Sequence, residues 1–136
     1  GMGGLMTISV LESNKRAVQC ADQLVLQPQR DIDKVRKYIH SICFKIESEE
    51  MLKEGDKFYN IINAVKGCEE YTEIEYLFGK KLIEERSSVL KEYVDTENNK
   101  LLTVLENMKN AAKENTADYE RLNRLSEKYN EVMKCL

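Results

Sequence analysis

The sequence predicts an all-α fold: an elongated, antiparallel helical bundle with coiled-coil-like seams and three to five helices. Three observations carry this expectation. Apolar residues recur at three- and four-residue spacing through most of the 136 residues. The chain has one Pro and six Gly, three of those Gly within the first four positions, so little interrupts it afterwards. Charged residues make up 33%, above the usual quarter, which suits long helices with solvated faces. Residues 1–6 are expected to be a tag remnant and a disordered N-terminus, because a Gly precedes the first Met. Residues 7–136 are expected to form a single helical bundle domain.

The first helix is expected over 9–27. Ser9 and Glu12 make a capping-box pattern, and Val10, Leu11, Ala17, Val18, Ala21, Leu24 and Val25 share one face. Pro28 ends it, since the residue before a Pro is pushed out of the helical region. The second helix is expected over 29–66 with a bend at Gly55. Ile32, Val35, Ile39, Ile42 and Ile46 step 3-4-3-4, a heptad seam that fails at Glu49. Gly55-Asp56 reads as a helix stop followed by a new cap.

From Cys68 onward there is no Pro and one Gly, Gly79. A third helix is expected over 69–113, carrying Leu82, Leu90, Leu101, Leu105 and Met108. Asn115-Thr116-Ala117-Asp118 resembles a cap and an acidic first turn, which favours a stop near Lys113 and a fourth helix over 116–136. The other choice is a continuous helix with Asn115 as a buried, register-setting residue. The last segment carries Leu122, Leu125, Tyr129, Val132 and Leu136. The expected core is Ile32, Val35, Ile39, Ile42, Ile46, Leu82, Leu90, Leu101, Leu105, Met108, Leu122, Leu125 and Val132.

Chemistry is sparse. The net charge is -3 and basic residues are interleaved with acidic ones, so no nucleic-acid partner is expected. Cys20, Cys43, Cys68 and Cys135 stand singly, with no C-x-x-C, and read as reduced structural thiols. His40 is the one His, so neither a Cys/His zinc set nor a pair of Glu-x-x-His motifs can be built. It reads as a partly buried or boundary histidine. Phosphate-binding glycine motifs and Gly-x-Ser-x-Gly are missing. No enzyme activity, cofactor, metal or small-molecule substrate is therefore expected.

Two other features bear on function. Tyr71, Tyr119 and Tyr129 each precede an aliphatic residue by three positions, and the last two resemble tyrosine-based activation motifs of immune receptors. Any heptad step gives the same spacing. Helix one offers only Lys15 and Arg16 on its polar face, which is weak for a membrane surface. The expected function is a non-enzymatic scaffold or adaptor subunit that binds other helical proteins, or itself as a homodimer. A peripheral membrane-surface protein and a phosphotyrosine-dependent docking protein are the alternatives. The expected interaction seam is Ile32, Val35, Ile39, Ile42, Ile46, Asn115, Asp118, Leu122, Leu125, Tyr129 and Val132, with Glu49, Asn115 and Asp118 as polar specificity positions. With no signal peptide and four unpaired cysteines, the expected place is the cytoplasm, the nucleus being the other choice.

Overall fold

The computed structural model of the protein describes residues 2–136. Its elements are α1 (Gly4–Ser13), α2 (Lys15–Cys20), β1 (Gln23–Leu26), α3 (Ile32–Ser41), β2 (Phe44–Glu54), β3 (Lys57–Lys66), α4 (Glu73–Phe78), α5 (Lys80–Glu84), α6 (Ser88–Asn110) and α7 (Ala117–Met133). They fall into two compact units, one ending at Glu85 and one spanning Arg86–Leu136. Helices account for 57% of the chain. The first unit also holds a three-stranded sheet in the order β1-β3-β2, so the all-α expectation is corrected to α/β.

The expected second helix fails after Ser41 for an identifiable reason. Ile39, Ile42 and Ile46 keep helical spacing, but Ile42 caps α3 and Ile46 lies in β2. Phe44 and Ile46 point inward with a period of two. A bulge between Ile46 and Ser48 then shifts the parity, so that Glu49 and Met51 take the inner positions. The bulge hides the alternation that marks a strand. Gly55-Asp56 is neither helix stop nor cap. It is the two-residue loop of a hairpin between Glu54 and Lys57, with Gly55 at φ 61°.

β3 pairs antiparallel with both neighbours, so β1 and β2 run parallel to each other. Helix α3 is the crossover between them, as parallel strands require. β3 buries Asn60, Ile62 and Ala64 on one face. Leu11, Val18, Val35, Ile39, Phe44, Ile46, Ile62, Ala64 and Tyr71 form the core of this unit, with Ile32 and Ile42 packed at its margin. Each fully buried Ile or Val there contributes about 1.5–3 kcal/mol relative to exposure.

The other expected helices are also revised. The span 9–27 breaks into α1, α2 and strand β1. The span 69–113 is interrupted at Gly79 and before Ser87. Thr72 opens α4 with a full capping box to Glu75. Gly79 has φ 98°, and a Cβ there would lie 3.0 Å from an Arg36 nitrogen. A side chain is thus opposed by both backbone conformation and space.

In the second unit, α6 and α7 pack on each other through Leu101, Leu105, Tyr129 and Val132. The chain breaks between them, and the Thr116 hydroxyl caps α7 by accepting from the Tyr119 N–H at 3.2 Å. Asn115 lies exposed in the turn, and Asp118 pairs with Arg121 at 3.5 Å on the surface. Leu122 and Leu125 are half-buried. The eleven expected seam residues are divided between the two units. Val35, Ile39 and Ile46 lie in the core of the sheet unit with Ile32 and Ile42 at its margin, and the other six belong to the helical hairpin and its turn. The single coiled-coil-like bundle is corrected to a unit built on a three-stranded sheet and a unit of two helices.

Candidate active site

In open sheets with parallel strands, ligands bind outside the carboxyl ends of those strands. Here that point is the segment leaving β1: Gln27, Pro28, Gln29, Arg30 and Asp31. Pro28 is buried, and its carbonyl accepts from the Asn60 N–H at 3.2 Å, carrying the β3 contact past the end of β1.

The entrance to α1 lies against this segment. Met2 forms a parallel bridge with Pro28, and the Gln29 N–H donates to the Met2 carbonyl at 3.0 Å. The Gly4 N–H donates to the Arg30 carbonyl at 2.7 Å. Gly4 is buried, and a Cβ there would fall inside contact distance of the Arg30 and Asp31 carbonyl oxygens. These are backbone atoms, so only glycine lets α1 approach so closely. Residues 1–6 were expected to be a disordered tail. The structure instead places Met2–Met6 in this turn, and Gly1 lies outside the described residues.

A cavity of about 610 Å³ opens there, lined by Met2, Gly3, Leu5, Met6, Arg30 and Asp31. It combines three flexible apolar side chains, one cation, one carboxylate and the positive end of α1. Asp31 caps α3 in a left-handed conformation, φ 51° and ψ 40°, uncommon for a residue other than glycine. Leu5, Met6 and Val10 leave α1 apolar on its outer side as well, and Val25 is exposed on β1, whose outer edge carries no strand among the described residues.

Beneath the turn lies a buried polar network. Arg36 donates through Nε to Glu49 Oε1 at 3.0 Å and through Nη2 to Oε2 at 2.5 Å. It also donates through Nη1 to the Tyr76 carbonyl at 2.6 Å, and Asn60 Nδ2 donates to Glu49 Oε2 at 2.6 Å. Asn60 therefore links the ion pair to Pro28 through its own backbone. Glu49, expected as a seam specificity residue, is a buried structural carboxylate.

A second cavity, about 570 Å³, is lined by Lys37, His40, Ser41, Cys68, Glu69, Glu70 and Tyr76. It lies where α3 ends and β2 begins, at the amino end of the parallel strands. His40 Nδ1 contacts Tyr76 Oη at 2.8 Å, and Nε2 contacts Glu69 Oε2 at 2.8 Å. Tyr71 stands edge-on to His40, its centroid 4.6 Å away. Burial, then the charge of Glu69, pushes the Tyr71 pKa well above its ordinary value. By position, the first cavity is the candidate active site and the second is not.

None of the first cavity's residues was among the expected site residues. The usable signal was a run of glycines opening directly into an apolar helical segment, which the reading of a disordered N-terminus discarded.

A family model described as TrmK, tRNA (adenine(22)-N(1))-methyltransferase, matches residues 1–131. No curated protein matches the chain. Among solved structures, a protein of the NADB-Rossmann superfamily from Streptococcus agalactiae is 30% identical, with a TM-score of 0.87. The match covers 98% of this chain and 57% of that one. Sp1610 of Streptococcus pneumoniae, a proposed tRNA (m1A22) methyltransferase, is 27% identical with a TM-score of 0.91 over 98% of this chain and 59% of its own. The same protein in complex with S-adenosyl-L-methionine gives a TM-score of 0.85 at 27% identity, covering 98% and 57%. The chain thus spans somewhat under two thirds of these relatives' length.

These matches identify the sheet unit as part of a Rossmann-like α/β methyltransferase fold. They overturn the expectation of a non-enzymatic scaffold or adaptor, along with its membrane-surface and phosphotyrosine alternatives, because the family is one of enzymes. They also overturn the expectation of no nucleic-acid partner and no small-molecule substrate, since the family is described as acting on tRNA and a relative binds S-adenosyl-L-methionine. Net charge misled because a total is blind to where a cation such as Arg30 sits. No helix among the described residues is long and apolar enough to cross a membrane. By the match over residues 1–131 and the fold that accompanies it, this chain belongs to the TrmK family of tRNA (adenine(22)-N(1))-methyltransferases.

Proposed function

We propose that this chain forms the acceptor-facing part of a cytoplasmic methyltransferase that modifies N1 of an adenine in tRNA. The observation that carries the reading is the Gly4 turn, which holds the start of α1 against Arg30 and Asp31 and so shapes a cavity at the carboxyl end of β1. Met2, Leu5 and Met6 offer adaptable apolar contacts to the face of a base. Arg30 is placed to take a phosphate, which positions RNA without reading its sequence. Methylation at N1 leaves positive charge on the adenine ring, and the Asp31 carboxylate favours that charge as it develops.

The methyl donor of this family, S-adenosyl-L-methionine, does not fit within these residues alone. The one parallel crossover among the described residues, β1–α3–β2, enters its helix through residues 27–31, a loop with no glycine and with Pro28 in it. A nucleoside cofactor needs a strand-to-helix turn whose backbone can approach it closely. The outer edge of β1 supports a location beyond it. The parallel Met2–Pro28 bridge lies just past the end of β1, and the part of the relatives that this chain leaves uncovered supplies polypeptide for that edge. The apolar outer side of α1 and the exposed Val25 suit the same covering polypeptide.

The test uses this chain with a tRNA transcript carrying adenine at position 22. Salt-sensitive binding is expected, weakened roughly tenfold by Arg30→Ala, equal to about 1.4 kcal/mol. Co-expression with the part of the Streptococcus agalactiae relative that this chain leaves uncovered should give methyl transfer to that transcript and none to its guanine-22 variant. No tRNA binding at low salt, or transfer indifferent to position 22, would overturn the proposal.

A further inference from the structure

The β2–β3 ladder ends at the pair Phe44–Lys66, and one step further the Gly67 N–H donates to the Cys43 carbonyl at 3.0 Å. Cys43 is held there by its own N–H to the His40 carbonyl at 3.1 Å, with φ 59°. This geometry brings Cys68, the residue after Gly67, alongside Cys43, near enough for the Cys43 thiol to raise the Cys68 pKa. Both are exposed, so a small oxidant can reach them. Cys20 in α2 and Cys135 after α7 are exposed as well.

We propose that Cys43 and Cys68 are an oxidative modification site, closing a reversible disulfide when the protein meets a low-molecular-weight disulfide such as oxidised glutathione. The proposal is independent of the methyltransferase reading. One cysteine thiolate attacks a sulfur of the oxidant, forming a mixed disulfide and releasing one small thiolate. The second cysteine, deprotonated to solvent, attacks the protein sulfur of that mixed disulfide. The Cys43–Cys68 bond forms, and the second small thiol leaves. Two protein thiols are oxidised and one oxidant disulfide is reduced to two thiols.

The location gives the bond a consequence. Cys68 lines the second cavity, and its neighbour Glu69 accepts from the Ile46 N–H at 2.7 Å while contacting His40. The disulfide ties the segment leaving β3 to the turn entering β2 and fixes Glu69 beneath His40. It does so at the amino end of the parallel strands, opposite the candidate active site. The hydrogen bond to Cys43 raises the Cys68 pKa, with the charge of Cys43 and desolvation adding to it. Closure should therefore accelerate as pH rises above neutrality.

The experiment treats the purified 136-residue chain with oxidised glutathione, then alkylates and maps the peptides. The expected product is lighter by roughly 2 Da, the two hydrogens lost on closure. Its linked peptides contain Cys43 and Cys68, and Cys20 and Cys135 are not part of the link. The thermal midpoint should rise on oxidation and return with dithiothreitol. Cys68→Ser and Cys43→Ser should each abolish both effects and leave a stable glutathione adduct on the remaining cysteine. Stable adducts on both cysteines of the unsubstituted chain, or a link that includes Cys20 or Cys135, would overturn the proposal.

Discussion

Arg36 and Glu49 meet in a two-pronged, fully buried ion pair, with bonds of 3.0 and 2.5 Å and side-chain exposures of 2% and 0%. The pair joins α3 to β2. Its remaining bonds reach the Tyr76 carbonyl and Asn60, so four segments of the sheet unit converge on it. Such an arrangement is costly to break from one side, because the surviving charge stays buried without its partner.

Glu49→Ala should therefore destabilise the sheet unit by about 3–5 kcal/mol, seen as a lower urea midpoint. The double variant Arg36→Met/Glu49→Leu should lose clearly less than Glu49→Ala alone. A double variant as unstable as the single one would show that shape, rather than charge compensation, dominates there.

Gly4→Ala should cost about 1–3 kcal/mol, because its new methyl meets the carbonyls of Arg30 and Asp31, which cannot rotate away. It should weaken tRNA binding as well, by moving α1 off the candidate site. Gly55→Ala makes the useful contrast. It meets no neighbouring atom, and its cost comes only from φ 61°. It should leave tRNA binding unchanged.

Ile39→Ala should cost about 2–5 kcal/mol, since Ile39 is completely buried in the core. Ile42→Ala should cost visibly less, because Ile42 sits half-buried at the end of α3. Chemical denaturation of the two variants side by side checks the ordering, and equal losses would contradict the core boundary described above.

Tyr129 has its pKa pushed up to about 12, chiefly by burial and then by Tyr93 and Glu97. Its neutral form is favoured in the fold, while the unfolded chain ionises near the ordinary value of 10. The associated stability is complete below pH 10 and is lost as pH climbs towards 12. Ultraviolet titration of tyrosinate absorbance should show late-ionising tyrosines, Tyr71 among them, with one fewer in Tyr129→Phe.

Much of the helical hairpin was legible in the sequence. Thr116 carries a cap signal with a clear physical basis, and α7 begins right after it. The sheet was not legible, because Ile39, Ile42, Ile46 and Glu49 keep helical spacing across a helix end and a bulge. Glu49 does fill the inner position that the spacing demanded, as the partner of Arg36 rather than as a seam residue. Gly55-Asp56 was a readable hairpin signal, since two residues of that type between β-rich runs favour a tight turn. The candidate site escaped because Gly3 and Gly4 were read as part of a disordered N-terminus, and because the Gly4–Arg30 approach is a tertiary contact that no local pattern encodes.

The register of the sheet also sets an order of assembly. Glu54 and Lys57 pair across the tight turn, whereas Gln23 pairs with Val65, far along the chain. Closing the longer loop costs about 2 kcal/mol more in chain entropy. The β2–β3 ribbon can therefore nucleate early, and β1 can join only once that template exists. The Met2–Pro28 bridge follows β1, so the glycine turn shaping the cavity belongs to the latest stage of folding. During synthesis, that turn leaves the ribosome before the ribbon it must dock on has been made.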